Sequence, residues 1–249
     1  MEVHAHAHTP RKKWTHFLWE FVMLFLAVFA GFMAENAREK MVERHREKEY
    51  MESMLKDLKT DHAKLEKLVT DHQRVIIGID SLLNHFDEFS IGKFSPAYEL
   101  YASSLNGYTD FIYTDRTIDQ LKSAGNMRLI RHQDVSDSIT YYDSDARDYL
   151  LEQTGLQRHY EQVSTYLNRI FNFRLLKSFI QKMRRGEPVV AGQFDFLLTH
   201  DKQQLEEFYN TVTSYRNSLA SRMYSATILK ESAKNLLDFI KNKYGLSDE

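Results

Sequence analysis

The chain has 249 residues, 43% of them hydrophobic and 27% charged, enough to build a packed core. A net charge of -2 argues against a general nucleic-acid binder, which carries a basic excess. The absence of cysteine excludes disulfides, thiolate metal sites and cysteine nucleophiles, and 9 Gly with 3 Pro are too few turn residues for an all-β fold.

Residues 1–16 read as a basic, His-rich cytoplasmic tail. Residues 17–34, FLWEFVMLFLAVFAGFMA, then form a continuous apolar stretch interrupted by Glu20. As a helix it covers roughly 27 Å, against about 30 Å for a bilayer's hydrocarbon core. A buried core helix or a signal peptide is the alternative. Trp14 and Trp19 sit where an interfacial aromatic belt belongs, with Arg11, Lys12 and Lys13 outside them. No small-x-small cleavage site follows the stretch. The reading is therefore one transmembrane helix. For orientation, the basic residues from Arg38 to Lys48 favour a cytoplasmic domain by simple count, but long domains translocate largely regardless of charge. The expectation is a bacterial inner-membrane protein with its N-terminus in the cytoplasm and its domain in the periplasm.

Residues 35–86 read as a long neck helix with a coiled-coil seam. Met51, Leu55, Leu58, His62, Leu65, Val69, His72, Ile76, Ile79, Leu83 and Phe86 follow a 3-4 spacing, all apolar except the two histidines. Carried backward, the register passes through Ala37, Ala34, Ala30, Ala27 and Glu20. Ala27 with Gly31, and Ala30 with Ala34, are small-xxx-small pairs, which either occur by chance or let helices approach closely in lipid. Glu20, Ala27, Ala30, Gly31 and Ala34 are thus a candidate helix-association face, and homo-oligomerisation through the transmembrane and neck helix is expected.

Residues 87–132 contain the breaks Gly92, Ser95-Pro96 and Asn106-Gly107, and read as a small distal cap of short helices at 96–105 and 115–124. Tyr98, Tyr101, Tyr108, Phe111 and Tyr113 make it aromatic. A second long helix is expected at 133–183, with Val135, Ile139, Tyr142, Ala146, Tyr149, Leu156, Val163, Leu167 and Ile170 on one face. Residues 184–200 form a turn, and 201–249 a third long helix on the register Leu205, Phe208, Val212, Tyr215, Leu219, Arg222, Ala226, Leu229, Ala233, Leu236 and Ile240. The soluble part of the first helix and the two later ones match in length, at roughly 65 to 77 Å. The expected fold is all-α: a transmembrane helix continuous with an antiparallel helical bundle, the second long helix returning toward the membrane. Lys182, Arg184 and Arg185 then lie in a membrane-proximal turn near lipid headgroups.

Two blocks carry a resemblance. Trp19-Glu20 through Glu35-Asn36, followed by Glu49-Tyr50-Met51-Glu52-Ser53-Met54-Leu55-Lys56-Asp57-Leu58, is one. Thr117 through Ile130, then Ile139-Thr140-Tyr141-Tyr142, is the other. Together they resemble an uncharacterised family of bacterial single-pass membrane proteins, a domain of unknown function. The matching motif residues are Leu121, Gly125, Leu129, Ile130, Tyr141 and Tyr142. The resemblance covers most of the chain, fades after about residue 160, and implies an anchor with a helical domain and no chemistry. Glu35 stands where the family has Asn.

Chemistry-bearing patterns are sparse. His4, His6 and His8 form a flexible imidazole tail suited at most to loose metal binding. His62 and His72 lie on the seam, where they either fix register or stack with their own copies as a pH-sensitive layer. Asp143, Asp145 and Asp148 imitate the start of a calcium loop but lack its glycine. No phosphate loop or catalytic signature occurs, so no enzyme activity and no cofactor are expected. The expected partners are a lipid bilayer, a second copy of the chain and a protein partner; nucleic acid is not expected. The expected role is a membrane-anchored structural or interaction module that presents its aromatic cap. A receptor-like sensor whose bundle binds a ligand and signals through a separate partner is the alternative.

Overall fold

The computed structural model describes residues 14–90, 105, 109–188 and 196–247. The chain forms two units, Met1–Tyr50 and Met51–Glu249. The proposed short helix at 96–105 lies outside the described residues except for Leu105, as do the tail histidines His4, His6 and His8.

In the first unit, every described residue belongs to helix α1 (Trp14–Asn84). Among the described residues this is the one helix apolar and long enough to cross a membrane, with a window of mean hydropathy 2.1 of which none is buried. Expected boundaries at 17, 34 and 35 mark changes of composition rather than breaks, since the helix runs unbroken through them. Beyond the apolar run Arg38 donates to both oxygens of Glu35, at 2.9 and 2.6 Å.

In the second unit α1 continues from Met51. A turn at His85 leads to the short α2 (Phe86–Ser90). A non-helical strap, residues 109–115, enters α3 (Arg116–Ser123). Gly125 follows in the left-handed region, with φ 64°, where glycine carries no Cβ penalty. A single 3-10 turn, Asn126–Leu129, then leads into α4 (Gln133–Ile170). The second long helix ends at 170 instead of 183. Phe171 is extended and pairs with Leu197 in an antiparallel bridge, with Asn172 N donating to Phe196 O and Leu198 N to Ile170 O, each at 2.8 Å. The Asn172 side chain then accepts from Leu175 N and starts α5 (Phe173–Arg184). The last helix, α6 (Lys202–Tyr244), is capped by Asp201, whose side chain accepts from Gln204 N at 2.9 Å, and by Gly245 in the left-handed region.

Most seam residues are buried where the spacing puts them: Leu58 is 1% exposed, and Met51, Leu65 and Ile79 are 0% exposed, while His62, Val69 and Leu83 are only partly buried. A second stripe, Met54, Asp57, Asp61, Leu68 and Leu82, is buried beside it, because α1 is covered on two sides. Its cover is the chain's own α4 and α6. Ile76, Ile79, Leu82 and Phe86 pack into one core with Leu156, Val163, Leu167, Ile170, Leu205, Phe208 and Val212. From Ile76 to Phe86 the seam is therefore filled largely by the chain's own helices.

The direction of α4 differs from expectation. Tyr142 meets Asp61 near one end of the unit, while Ile170 reaches the core around Phe86 at the other, so α4 runs parallel to α1. Helix α6 is antiparallel to both: Tyr209 packs edge-on against Phe86 at 4.9 Å, Arg216 pairs with Asp80, and Lys243 reaches Asp134 at 2.7 Å. The strap provides the return. Ile112, Thr114 and Thr117 lie against Lys64, Asp61 and Asp57 in that order, running down α1 with more advance per residue than a helix has. So the described part of 87–132 is not a distal cap. Phe171 and Leu197, which precede and follow the segment carrying Lys182, Arg184 and Arg185, lie in the core with Phe86. Matched helix lengths fit both directions and did not decide between them.

Candidate functional site

The densest set of polar side chains lies where the strap and α3 cross α1 and α4. Asp57, 3% exposed, accepts from Thr117 N at 3.0 Å, from the Thr117 hydroxyl, and from Arg116 at 2.8 Å. One turn on, Asp61, 1% exposed, accepts from Thr114 N and from the Tyr142 hydroxyl, each at 2.9 Å. Asp143, also 1% exposed, accepts from Tyr113 at 3.0 Å, from Arg147 at 3.1 Å, and from Lys122. The two phenols stand edge to face, with ring centroids 5.9 Å apart.

Burial dominates the electrostatics here. It pushes the Asp61 carboxyl above its ordinary value, against the opposing bonds from Thr114 and Tyr142. Burial also acts to raise Asp143, but the bonds from Lys122, Arg147 and Tyr113 together outweigh it and hold that carboxyl below its ordinary range. Both phenols are raised, by burial first and then by the carboxylate each one faces. Donors on three segments, the strap, α3 and α4, thus converge on three carboxylates, and the carboxylates fasten the strap to α1 and α4.

The family-like motif falls into this region. Leu121 is fully buried, Ile130 is 5% exposed and Leu129 is partly buried. The paired tyrosines divide: Tyr142 is the inward partner of Asp61, whereas Tyr141 is 73% exposed. Of the aromatic residues expected to face a partner, Phe111 and Tyr113 are buried, and Tyr98, Tyr101 and Tyr108 lie outside the described residues. Asp143, Asp145 and Asp148 are helical, and among the described residues no group of His, Asp or Glu is arranged to hold a metal ion. Lys182 and Arg184 close α5, and Arg185 pairs with Glu187 at 3.4 Å. His62 lines an open groove of 480 Å³ between α1 and α6, with Lys59, Lys230, Lys234 and Lys241 interleaved with Glu66, Glu231 and Asp238.

In the first unit the apolar helix has two unlike sides. Phe21, Phe25 and Phe29 stack in succession at 6.4 and 6.1 Å. At about 100° per residue, Ala27, Ala30, Gly31 and Ala34 fall on the opposite side together with Glu20. All five are exposed, and nothing lies within 4 Å of where a Cβ on Gly31 would stand. Glu20 faces His16, one turn back, at 3.4 Å.

Spacing missed Asp57, Asp61 and Asp143, since carboxylates on a helix ordinarily mark its solvent side. The available signal was that Asp57 and Asp61 interleave with Met54 and Leu68 on a second apolar stripe. No family model, no curated protein and no solved structure matches the chain, so the family resemblance rests on its two residue blocks.

Proposed function

We propose that the chain is a membrane-anchored helical-bundle protein, a structural or interaction module whose first helix crosses the bilayer at residues 17–34. One observation carries the reading: Phe21, Leu24, Phe25, Val28 and Phe32 are all more than half exposed, in an apolar window of which none is buried among the described residues. Water disfavours such a surface by about 25 cal/mol per Å², and a hydrocarbon core removes that cost. In this reading residues 1–16 are cytoplasmic and the bundle is periplasmic in a bacterial inner membrane, with Arg11, Lys12 and Lys13 on the cytoplasmic side. Because the chain has no cysteine, one cysteine introduced at position 247 reports orientation alone. It is expected to react with an impermeant thiol reagent in intact spheroplasts. Labelling only after lysis would reverse the orientation, and release of the protein by alkaline carbonate would remove the anchor.

The anchor supplies the module's self-association. The face of Glu20, Ala27, Ala30, Gly31 and Ala34 fits a second copy, its small side chains allowing close backbone approach while the phenylalanine side meets lipid. Gly31→Leu is expected to reduce resonance energy transfer between labelled copies in bilayers by at least about tenfold in association constant, or roughly 1.4 kcal/mol. Phe25→Leu, on the other side, should leave it unchanged. Equal transfer in both variants rules this interface out.

A further inference from the structure

His72 departs from the pattern of satisfied polar groups. It sits on the buried face of α1, 4% exposed, and neither ring nitrogen makes a hydrogen bond of normal geometry, the Thr109 backbone offering only a weak one. From α6 comes Arg222, 6% exposed, close enough for its charge to oppose protonation of the imidazole. Arg222 is firmly held by α4. Its Nη1 donates to Glu152 at 2.6 Å and its Nη2 to the Tyr149 carbonyl at 2.7 Å, while the guanidinium lies 3.5 Å from the centre of the Tyr149 ring. Its Nε is buried without a partner. The other charges facing His72 are Asp71 on its own helix and Asp110 on the strap, where the Thr109 backbone also favours the protonated ring. Asp71 is already engaged by Lys67 and by Arg74 at 3.0 Å.

Arginine does not lose its proton in a protein, so Arg222 cannot relieve a conflict with a second cation. Either His72 stays neutral or the helices separate. Buried polar atoms without partners are costly and call for an explanation where they persist. We propose that His72 and Arg222 form an acid-sensitive latch between α1 and the α4–α6 pair, closed while the imidazole is neutral and loosened when protonation sets a second cation against Arg222. Because Arg222 is bound to α4, the two later helices leave α1 together, and the apolar seam around Val69–Ile79 is what they uncover.

The sign follows from linkage. Burial first, then the charge of Arg222, hold the folded imidazole below its ordinary value of 6.5. The unfolded chain therefore binds the proton first. Stability is complete above about pH 6.5 and is lost as the pH falls through that value toward the lower folded one.

The test uses the full chain in lipid nanodiscs at pH 7.5 and 5.5, with His72→Leu as the comparison. The wild-type Tm is expected to fall by at least about 3 °C more than that of His72→Leu, the size of a 1 kcal/mol effect in a domain of this length. Wild-type hydrogen exchange, corrected for its intrinsic pH dependence, should rise at pH 5.5 in residues 68–79 and 219–226. Should His72→Leu not fold, Arg222→Met carries the test, since losing the facing charge must also shrink the acid-induced fall. Parallel decline of the wild type and the folded variant, or exchange that rises evenly across the bundle in both, overturns the proposal.

Discussion

Asp61→Ala is expected to lower the unfolding free energy by about 2 to 4 kcal/mol. The substitution removes the acceptor for two donors, Thr114 N and the Tyr142 hydroxyl, the latter on a residue only 1% exposed. A buried donor left without a partner costs about 1 to 3 kcal/mol. Asp61→Asn is the informative comparison. The amide keeps an acceptor and removes the charge that burial disfavours, so it should lie within about 1 kcal/mol of wild type. Chemical denaturation of both variants in detergent, followed by circular dichroism, gives the difference. If Ala and Asn cost the same, the bonds to Thr114 and Tyr142 do not hold the strap. The two carboxylates have opposite pH signatures. Asp61, raised in the fold, opposes folding while ionised, and that opposition lifts as the pH falls through its raised value. Asp143, lowered in the fold, contributes stability above the ordinary carboxylate range that is lost as the pH falls through its depressed value.

Leu65→Ala should cost about 2 to 5 kcal/mol, the range for deleting a large aliphatic side chain from a core that does not collapse around the space. Leu65 is 0% exposed and sits between the two ends at which α1 is held, by the strap near Asp57 and by α4 and α6 near Ile79. Ile77, on the same helix but 59% exposed, is the control: Ile77→Ala should change stability by less than about 0.5 kcal/mol. A loss at Leu65 no larger than at Ile77 would mean that the helix register is wrong.

These outcomes separate what periodicity can encode from what it cannot. The burial of Met51, Leu58, Leu65 and Ile79 was legible, because a 3-4 repeat of apolar residues specifies one helix face whatever covers it. On the last helix even Arg222 was assigned to the buried register, as was Tyr149 on the second long helix, but their pairing with each other and with Glu152 was not legible. The break at Phe171 was hidden because Phe171 and Phe173 continue an apolar pattern. The small signal there was Asn172, a capping residue between them. Strand-like direction along the bundle was not legible at all, since a seam reads the same for parallel and antiparallel neighbours. What decides it is the strap, whose contacts with Asp57 and Asp61 come from residues more than fifty positions away. The candidate site was illegible for the same reason: a carboxylate's role depends on which donors arrive, and these arrive from other segments.

The parallel course of α4 also sets a timetable for synthesis. Tyr142 bonds to Asp61 across 81 positions and Arg216 to Asp80 across 136, so α1 has few partners near it in the chain. When Phe86 leaves the ribosome, the helix that covers it, with Phe208 and Tyr209, has yet to be made. At about 5 to 20 residues per second, the apolar face from Met51 to Phe86 waits roughly 6 to 30 seconds for its cover. A nascent chain in that interval is a long amphipathic rod, prone to pair with another like it. Truncation before α6 should therefore yield aggregates rather than a smaller bundle, and the last helix acts as the step that commits the chain to folding alone.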